Sequence, residues 1–510
     1  MPDLNDALDA IKTAQGKAMQ DTNDLTKSFT QPDGPTTGLQ AYDLEAPSKK
    51  FYPVLTPLRN SISRVTNGFA TQANWRVITA INVNNQRAGV SEGRRGGVIQ
   101  HKTEDYFASF RGWGLENSVT WEADYAAKNF EDVKALAVQQ TLEATMIEEE
   151  RLIIGGNTSL AMGTTPTPTL AAVGTGGTLA AQTWSVICVA LGPQAYLDVV
   201  GVNNGGIGQQ FDASSKVPSK ITRTNADGTT EEFGGGSARK STAATVATTG
   251  TTSSITATVT PVIGAVGYAW YIGAAGSERL VVVSTVNSVI LKQAADPNAQ
   301  LASTLVDEDN STSTIDFDGL LIQAFKPSSN AYVKVMPTGT AGVGTTLTSD
   351  GAGGIVEFEE AFEYFYRKYR LSPDVIYVST QELLTITSLI IKNGGAPLLH
   401  LNVDANNPAS LQAGVVVGSY QNKITGQRVP LRIHPNLAAG TIFMFTSRLP
   451  YPLANVGNIV QMKMRRDYHQ IEWPLRTRRY EYGVYADGVL QHYAPFSMGI
   501  ITNIAKPVQS

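Results

Sequence analysis

One stretch constrains the fold more than any other: GWGLENSVTWEADYAAKNFEDVKALAVQQTLEATMIEEERLIIGG, residues 112 to 156. It predicts a long helix over 129–154 that opens at Asn129, holds Glu131 and Asp132 in its first turn, and closes on Gly155 and Gly156. Projected at 100° per residue, Asp132, Gln139, Glu143 and Glu150 fall in one narrow polar stripe, and nearly all other positions are apolar or small. A helix wet along so thin a line is an axle with the rest of the fold packed around it. Glu148, Glu149 and Glu150 point 100° apart and cannot converge on one ion, so they read as a solvated or interface-paired face.

Upstream, WRVITAINV and VIQHKTEDYFASF both alternate. Between them NNQRAGVSEGRRGG is polar and glycine-rich, so residues 75–114 read as a β-hairpin projecting from the body. Its tip holds Arg87, Glu92, Arg94 and Arg95, candidates for contact with another subunit. Residues 1–50 are polar, with a weak helical pattern at Leu4, Leu8, Ile11, Ala14 and Ala18 broken by TQPDGPTTGLQ. They read either as an arm packing on a neighbour or as a disordered tail.

Composition changes after Gly156. Residues 160–300 are rich in Thr, Ala, Gly and Ser, with short runs such as TWSVICVALG, SSITATVTPV, GAVGYAWYIGAAG, ERLVVVST and NSVILKQ. Such spacing predicts a β-sandwich module, inserted because a mixed helix and strand pattern resumes beyond it. In the resumed part, EFEEAFEYFYRKYRL places Phe358, Phe362, Phe365 and Tyr369 on one helical face. DVIYVST, GVVVGSY, VPLRIHP and GTIFMFT read as strands, and QELLTITSLIIKNGG as a helix. The last fifty residues are dense in alternation and aromatic rings, and read as long strands folding back on the body. Lys463, Arg465, Arg466, Arg476, Arg478 and Arg479 cluster there, either as a solvated face or as a contact for nucleic acid or an acidic neighbour.

Charged residues make up only 16% of the 510, which fits surface buried against other copies or a chain rich in small polar loops. A net charge of −4 gives no global field to hold nucleic acid. Cys188, the only cysteine, excludes an internal disulfide and reads as a buried strand residue. Neither a secretory signal nor a bilayer-spanning run is legible, so a soluble protein kept in a reducing cytoplasm is expected. The five histidines stand apart from one another without metal-ligand spacing. FGGGSARKS, residues 233–241, lacks the glycine before lysine that a phosphate loop needs and reads as a surface turn. No catalytic constellation, metal site or cofactor motif emerges, and the chain reads as a part for assembly rather than an enzyme.

The order of polar arm, long hairpin with a basic tip, long helix, mixed second lobe and strand-rich return resembles the major capsid protein of tailed bacteriophages. This is the Hong Kong 97 phage-type fold shared with encapsulin shells. FEEAFEYFYRKYRLSPDVIYVST and RRYEYGVYADGVLQHYAPFSMGIITNI carry part of that resemblance. TPVIGAVGYAWYIGAAGS resembles immunoglobulin-like or fibronectin-type modules. The resemblance implies an α+β fold with a peripheral domain over 51–74 and 115–159, an extended loop at 75–114, an inserted sandwich at 160–300, an axial domain at 301–460 and return strands at 461–510. It also implies a shell of hexamers and pentamers around double-stranded DNA touched nonspecifically, in a virion assembled in the host cytoplasm. Scaffolding, portal and decoration proteins are the further partners implied. Some members cross-link through a tip lysine; here the tip has arginines, and Lys102 lies on the returning strand, so no autocatalytic function carries over. An encapsulin-like compartment, or a tail or receptor-binding protein, are the rival expectations.

Overall fold

Two short helices, α1 (Pro57–Ser61) and α2 (Trp121–Ala126), precede the long helix α3 (Val133–Gly155) in a computed structural model of the chain. The described residues are 49–128, 130–200, 216–394, 400–401, 411–412 and 416–506; the arm expected over 1–50 lies outside them save its last two residues. Lys50–Lys128 and Asp132–Ser510 form one unit, to which the description below is confined. The long helix starts later than its periodicity predicts. Asp132 is not in its first turn but caps it, accepting the Ala135 amide at 3.1 Å. A carboxylate gains more as a cap in extended backbone than inside the helix, so the helix begins at Val133. Asn129 falls outside the described residues.

At its far end α3 is pressed against the chain at residues 317–319. A Cβ on Gly319 would lie 2.6 Å from the Leu152 carbonyl oxygen, and one on Gly156 would lie 2.4 Å from that of Phe317. Only glycine lets these backbones approach so closely.

Strands β1 (Ser63–Val65), β2 (Gln72–Ile81), β3 (His101–Ser109) and β4 (Arg111–Thr120) lie between the first two helices. β2 and β3 form a two-stranded antiparallel hairpin in no larger sheet. Next come β5 (Thr169–Val173), β6 (Thr183–Leu191) and helix α4 (Pro193–Val200). They are followed by β7 (Lys220–Thr224), β8 (Thr230–Gly234), β9 (Ala244–Ala247) and β10 (Ser254–Thr258). β11 (Gly267–Gly273), β12 (Arg279–Ser284) and β13 (Ser288–Leu291) complete this region.

Two of its sheets, ordered β13-β10-β5 and β12-β11-β6-β9, enclose Trp184, Cys188, Ile255, Tyr268 and Trp270. The four-stranded sheet is buried on its other face as well. Ile187, Val189, Ala269 and Tyr271 join the main core with Ile153, Ile154, Phe317 and Leu320. The β-rich region, read from the sequence as an inserted module, therefore shares its core with the rest of the unit. The run TWSVICVAL is apolar without a break from Val186 to Leu191 because both of its faces are covered.

The second lobe contains α5 (Leu320–Phe325), β14 (Tyr332–Val335), α6 (Val356–Tyr369), β15 (Val375–Val378) and α7 (Thr380–Gly394). After these come β16 (His400–Leu401), β17 (Leu411–Gln412), β18 (Ser419–Gln421), β19 (Arg428–Ile433) and β20 (Ile442–Phe445). Phe358, Phe362 and Phe365 of α6 are fully buried on one face, as their spacing predicts. Last come β21 (Val460–Glu472), β22 (Arg479–His492) and β23 (Gly499–Thr502). The six-stranded sheet runs β14-β23-β20-β15-β19-β18, and the sheet beside α3 runs β1-β21-β22-β4. In the latter, β1 pairs parallel to β21, with Arg64 opposite Met462, so segments from both ends of the described chain share one sheet.

Candidate assembly surface

The polar stripe of α3 is open to water only at Asp132 and Gln139; residues 50–64 are laid along the rest of it, at Glu143 and Glu150. Glu143 accepts from the Tyr52 hydroxyl and pairs with Lys50 at 3.7 Å. Two turns further, Glu150 accepts the backbone amides of Leu58 at 2.9 Å and Arg59 at 2.7 Å. The same carboxylate meets His434 Nε2 at 2.7 Å. Glu149, expected on a solvated or interface-paired face, is likewise fully buried. It pairs with Arg59 at 2.9 Å and Arg64 at 2.5 Å and accepts from the Tyr468 hydroxyl. Burial alone would lower the Arg64 pKa, but its bonds to Asp467 and Glu149 outweigh that and raise it. Buried charge persists only where it is paired and hydrogen-bonded, and each of these carboxylates has several donors. Sequence reasoning missed this cluster because its partners come from α1, β1, β21 and the turn after β19.

From that anchored root the hairpin projects. One of its faces is half-buried: Trp75 stacks on Tyr106 with ring centroids 6.0 Å apart. The other is open, where Arg76 pairs across the strands with Asp105 at 2.6 Å and Phe107 is 71% exposed. The strands stop at Ile81 and His101, short of the alternation in the sequence. Asn82, at φ 53°, and Asn84 take over the ladder through side-chain bonds to Gln86, Val98 and Gln100. Beyond them Arg87, Glu92, Arg94 and Arg95 are all exposed, with no ion pair among the described residues. Val98 at 82% and Ile81 at 76% stand in water beside them.

The basic residues of the return strands do not make one patch. Lys463 is half-buried, and Arg465 pairs with Asp487 and caps the Phe110 ring at 5.2 Å. Met462 and Met464 face the core, as strand alternation predicts. Arg466 is exposed on the same strand. Arg476, Arg478 and Arg479 lie in and beside the turn that joins β21 to β22, where Arg478 pairs with Glu122 at 2.7 Å. Ten or so extended residues separate the two groups, roughly 30 Å along the strand. With two arginines neutralised by the chain's own carboxylates, the summed field is weak.

Cys188 lies buried in β6, and burial pushes its thiol up, the opposite of an activated nucleophile. In FGGGSARKS, Arg239 pairs with Asp307 at 2.8 Å and Lys240 donates to the Ala302 carbonyl at 3.3 Å, so the lysine serves the loop. No group of three His, Cys, Asp or Glu among the described residues could hold a metal ion. No helix among them is long and apolar enough to cross a membrane.

No protein-family model matches the chain, and no curated protein matches it in sequence. Solved structures do resemble it in fold. It is similar to the capsid of Myoviridae phage XM1, at 9% identity and a TM-score of 0.38, over 93% of this chain and 100% of that one. The Cyanophage A-1(L) capsid aligns at 10% identity and a TM-score of 0.39, covering 92% and 98%. The holo-SrpI encapsulin complex from Synechococcus elongatus PCC 7942 aligns at 9% identity and a TM-score of 0.35, covering 91% and 95%.

Proposed function

We propose that the chain is a capsid subunit that assembles with copies of itself into the closed shell of a tailed phage. The observation that carries this reading is the β2–β3 hairpin. A two-stranded ribbon in water is marginal by itself. This one also leaves Ile78, Ile81, Val98, Ile99 and Phe107 largely uncovered. Apolar surface on a projecting, well-anchored ribbon is matched by burial against a neighbour, and a closed shell supplies that neighbour for every copy.

Contact with packaged DNA on this reading is nonspecific and weak, through Lys463, Arg466, Arg476 and Arg479. Scaffolding, portal and decoration proteins are further partners, and the cytoplasm of a host cell is the site of assembly. A genome-free compartment built on the same geometry is the second reading. Negative-stain microscopy and sedimentation of the purified protein test the reading: closed shells or capsomer rings are expected. A stable monomer under all assembly conditions overturns it.

A further inference from the structure

At the root of the hairpin, Trp75, Arg111 and His492 line one cleft of about 400 Å³. Trp75 Nε1, Arg111 Nε and His492 Nε2 are all buried, and none has a hydrogen-bond partner. All three are donors. His492 Nδ1 accepts the Ala494 amide at 3.1 Å, which places the ring proton on Nε2, and burial lowers the imidazole pKa to about 3. The other charges on the walls are already matched: Asp105 by Arg76 at 2.6 Å, and Asp318 by Lys326 at 2.6 Å. Arg111, on the same walls, makes no ion pair among the described residues. The walls of the cleft thus hold one positive charge without an ion pair and three N–H groups without a partner.

We propose that this cleft receives a single carboxylate side chain from a second copy of the chain, bound by Arg111 with Trp75 and His492 as supporting donors. The proposal rests on the self-assembly reading above. One guanidinium is charge-matched to one carboxylate and presents a fork suited to it. A nucleic-acid backbone, with a charge on every nucleotide, calls for a run of cations that these walls do not have. The cleft is also continuous with the exposed flank of the hairpin at Phe107, which the neighbouring copy would cover. Trp75 and Arg111 are only half-buried as residues, so part of each side chain is open to an entering group.

Two measurements on the full-length protein test this. A high-resolution map of assembled shells is expected to show a carboxylate of an adjacent subunit within hydrogen-bond distance of Arg111. Water alone, a phosphate or an empty cleft in well-formed shells overturns the inference while leaving the shell reading intact. Failure to form shells at all overturns both. In parallel, Arg111→Met is expected to keep the melting temperature of the unassembled subunit while raising the concentration needed for assembly about tenfold, the loss of one charge-assisted contact. Arg111→Lys, which keeps the charge but not the fork, should fall between. Assembly of Arg111→Met at the wild-type concentration overturns the proposal.

Discussion

Glu150 of α3 and His434, 284 residues downstream, meet at 2.7 Å with neither side chain exposed to water. The same carboxylate holds two backbone amides of α1, so one side chain ties the axle helix to the segment that leads into the hairpin and to the second lobe. Glu150→Ala strands a buried imidazole and two amides. A loss of about 3–5 kcal/mol is expected, read as a fall in the denaturation midpoint of the subunit. A midpoint unchanged from wild type would remove the pair from the set of contacts that hold the fold.

A second buried carboxylate makes stability depend on pH. Burial pushes Asp316 up to about 6, against the opposing pull of Arg151. A raised pKa means that the folded state prefers the proton. The contribution is therefore present below about pH 4 and lost as pH rises through about 6, for a total of about 3 kcal/mol. Asp316→Asn removes the penalty. Its gain in melting temperature over wild type should be near zero at pH 4 and grow to a plateau above pH 7; a gain that is flat with pH would contradict the assignment.

Deleting residues 160–300 tests how the β-rich region is joined to the rest. Ile187, Val189 and Tyr271 belong to the main core, and Asn287 and Asn503 exchange hydrogen bonds at 2.7 and 3.0 Å. Bridging the gap with a Gly/Ser linker costs little in loop closure. It nevertheless uncovers the apolar flank of α3 and α5. The deletion variant should therefore be insoluble or molten, as judged by dye binding and loss of near-ultraviolet dichroism. A cooperatively folded deletion variant would show that the shared core is dispensable.

The hairpin separates stability from assembly. Phe107→Asp, or Arg94→Glu with Arg95→Glu, changes only exposed groups, so the subunit should melt within about 0.5 kcal/mol of wild type. Shell yield should drop for both, and for the arginine pair the defect should vary with salt. Normal shells from both variants would take the hairpin out of the contact. Because the tip has no lysine, wild-type shells boiled in denaturant should migrate as single chains on a gel.

Much of this architecture was legible where a period speaks for itself. Alternation gave the hairpin arms and the return strands, and three-and-four spacing gave Phe358, Phe362 and Phe365 one buried face. The helix start went astray because Asp132 can serve as first-turn residue or as cap, and only the backbone decides. The stripe of Asp132, Gln139, Glu143 and Glu150 was read as wet along its whole length; it is so at Asp132 and Gln139 but not at Glu143 and Glu150, because periodicity reports polarity, not what covers it. Tyr52, Leu58, Arg59 and His434 cover those two, and no spacing rule links them to α3. TWSVICVAL held more than its reading as a buried strand used, since the unbroken apolar stretch Val186–Leu191 marks a strand covered on both faces. The donors at Trp75, Arg111 and His492 left no trace, because a missing partner is not a sequence pattern.

The parallel pairing of β1 with β21 has a consequence for synthesis. Ser63 faces Gln461 in a sheet that also needs β22, so the ribosome must add about 400 residues before that strand finds its neighbours. At about 5–20 residues per second, this leaves the early segment waiting for some tens of seconds. The hairpin emerges early in that interval, apolar flank and all, on a root that cannot yet close. A nascent chain therefore displays its most adhesive part before it has a body to mount it on, and neighbours on the same messenger would meet while both are in that condition. Holding those chains apart until residue 492 is free is a task that falls to the cell rather than to the fold.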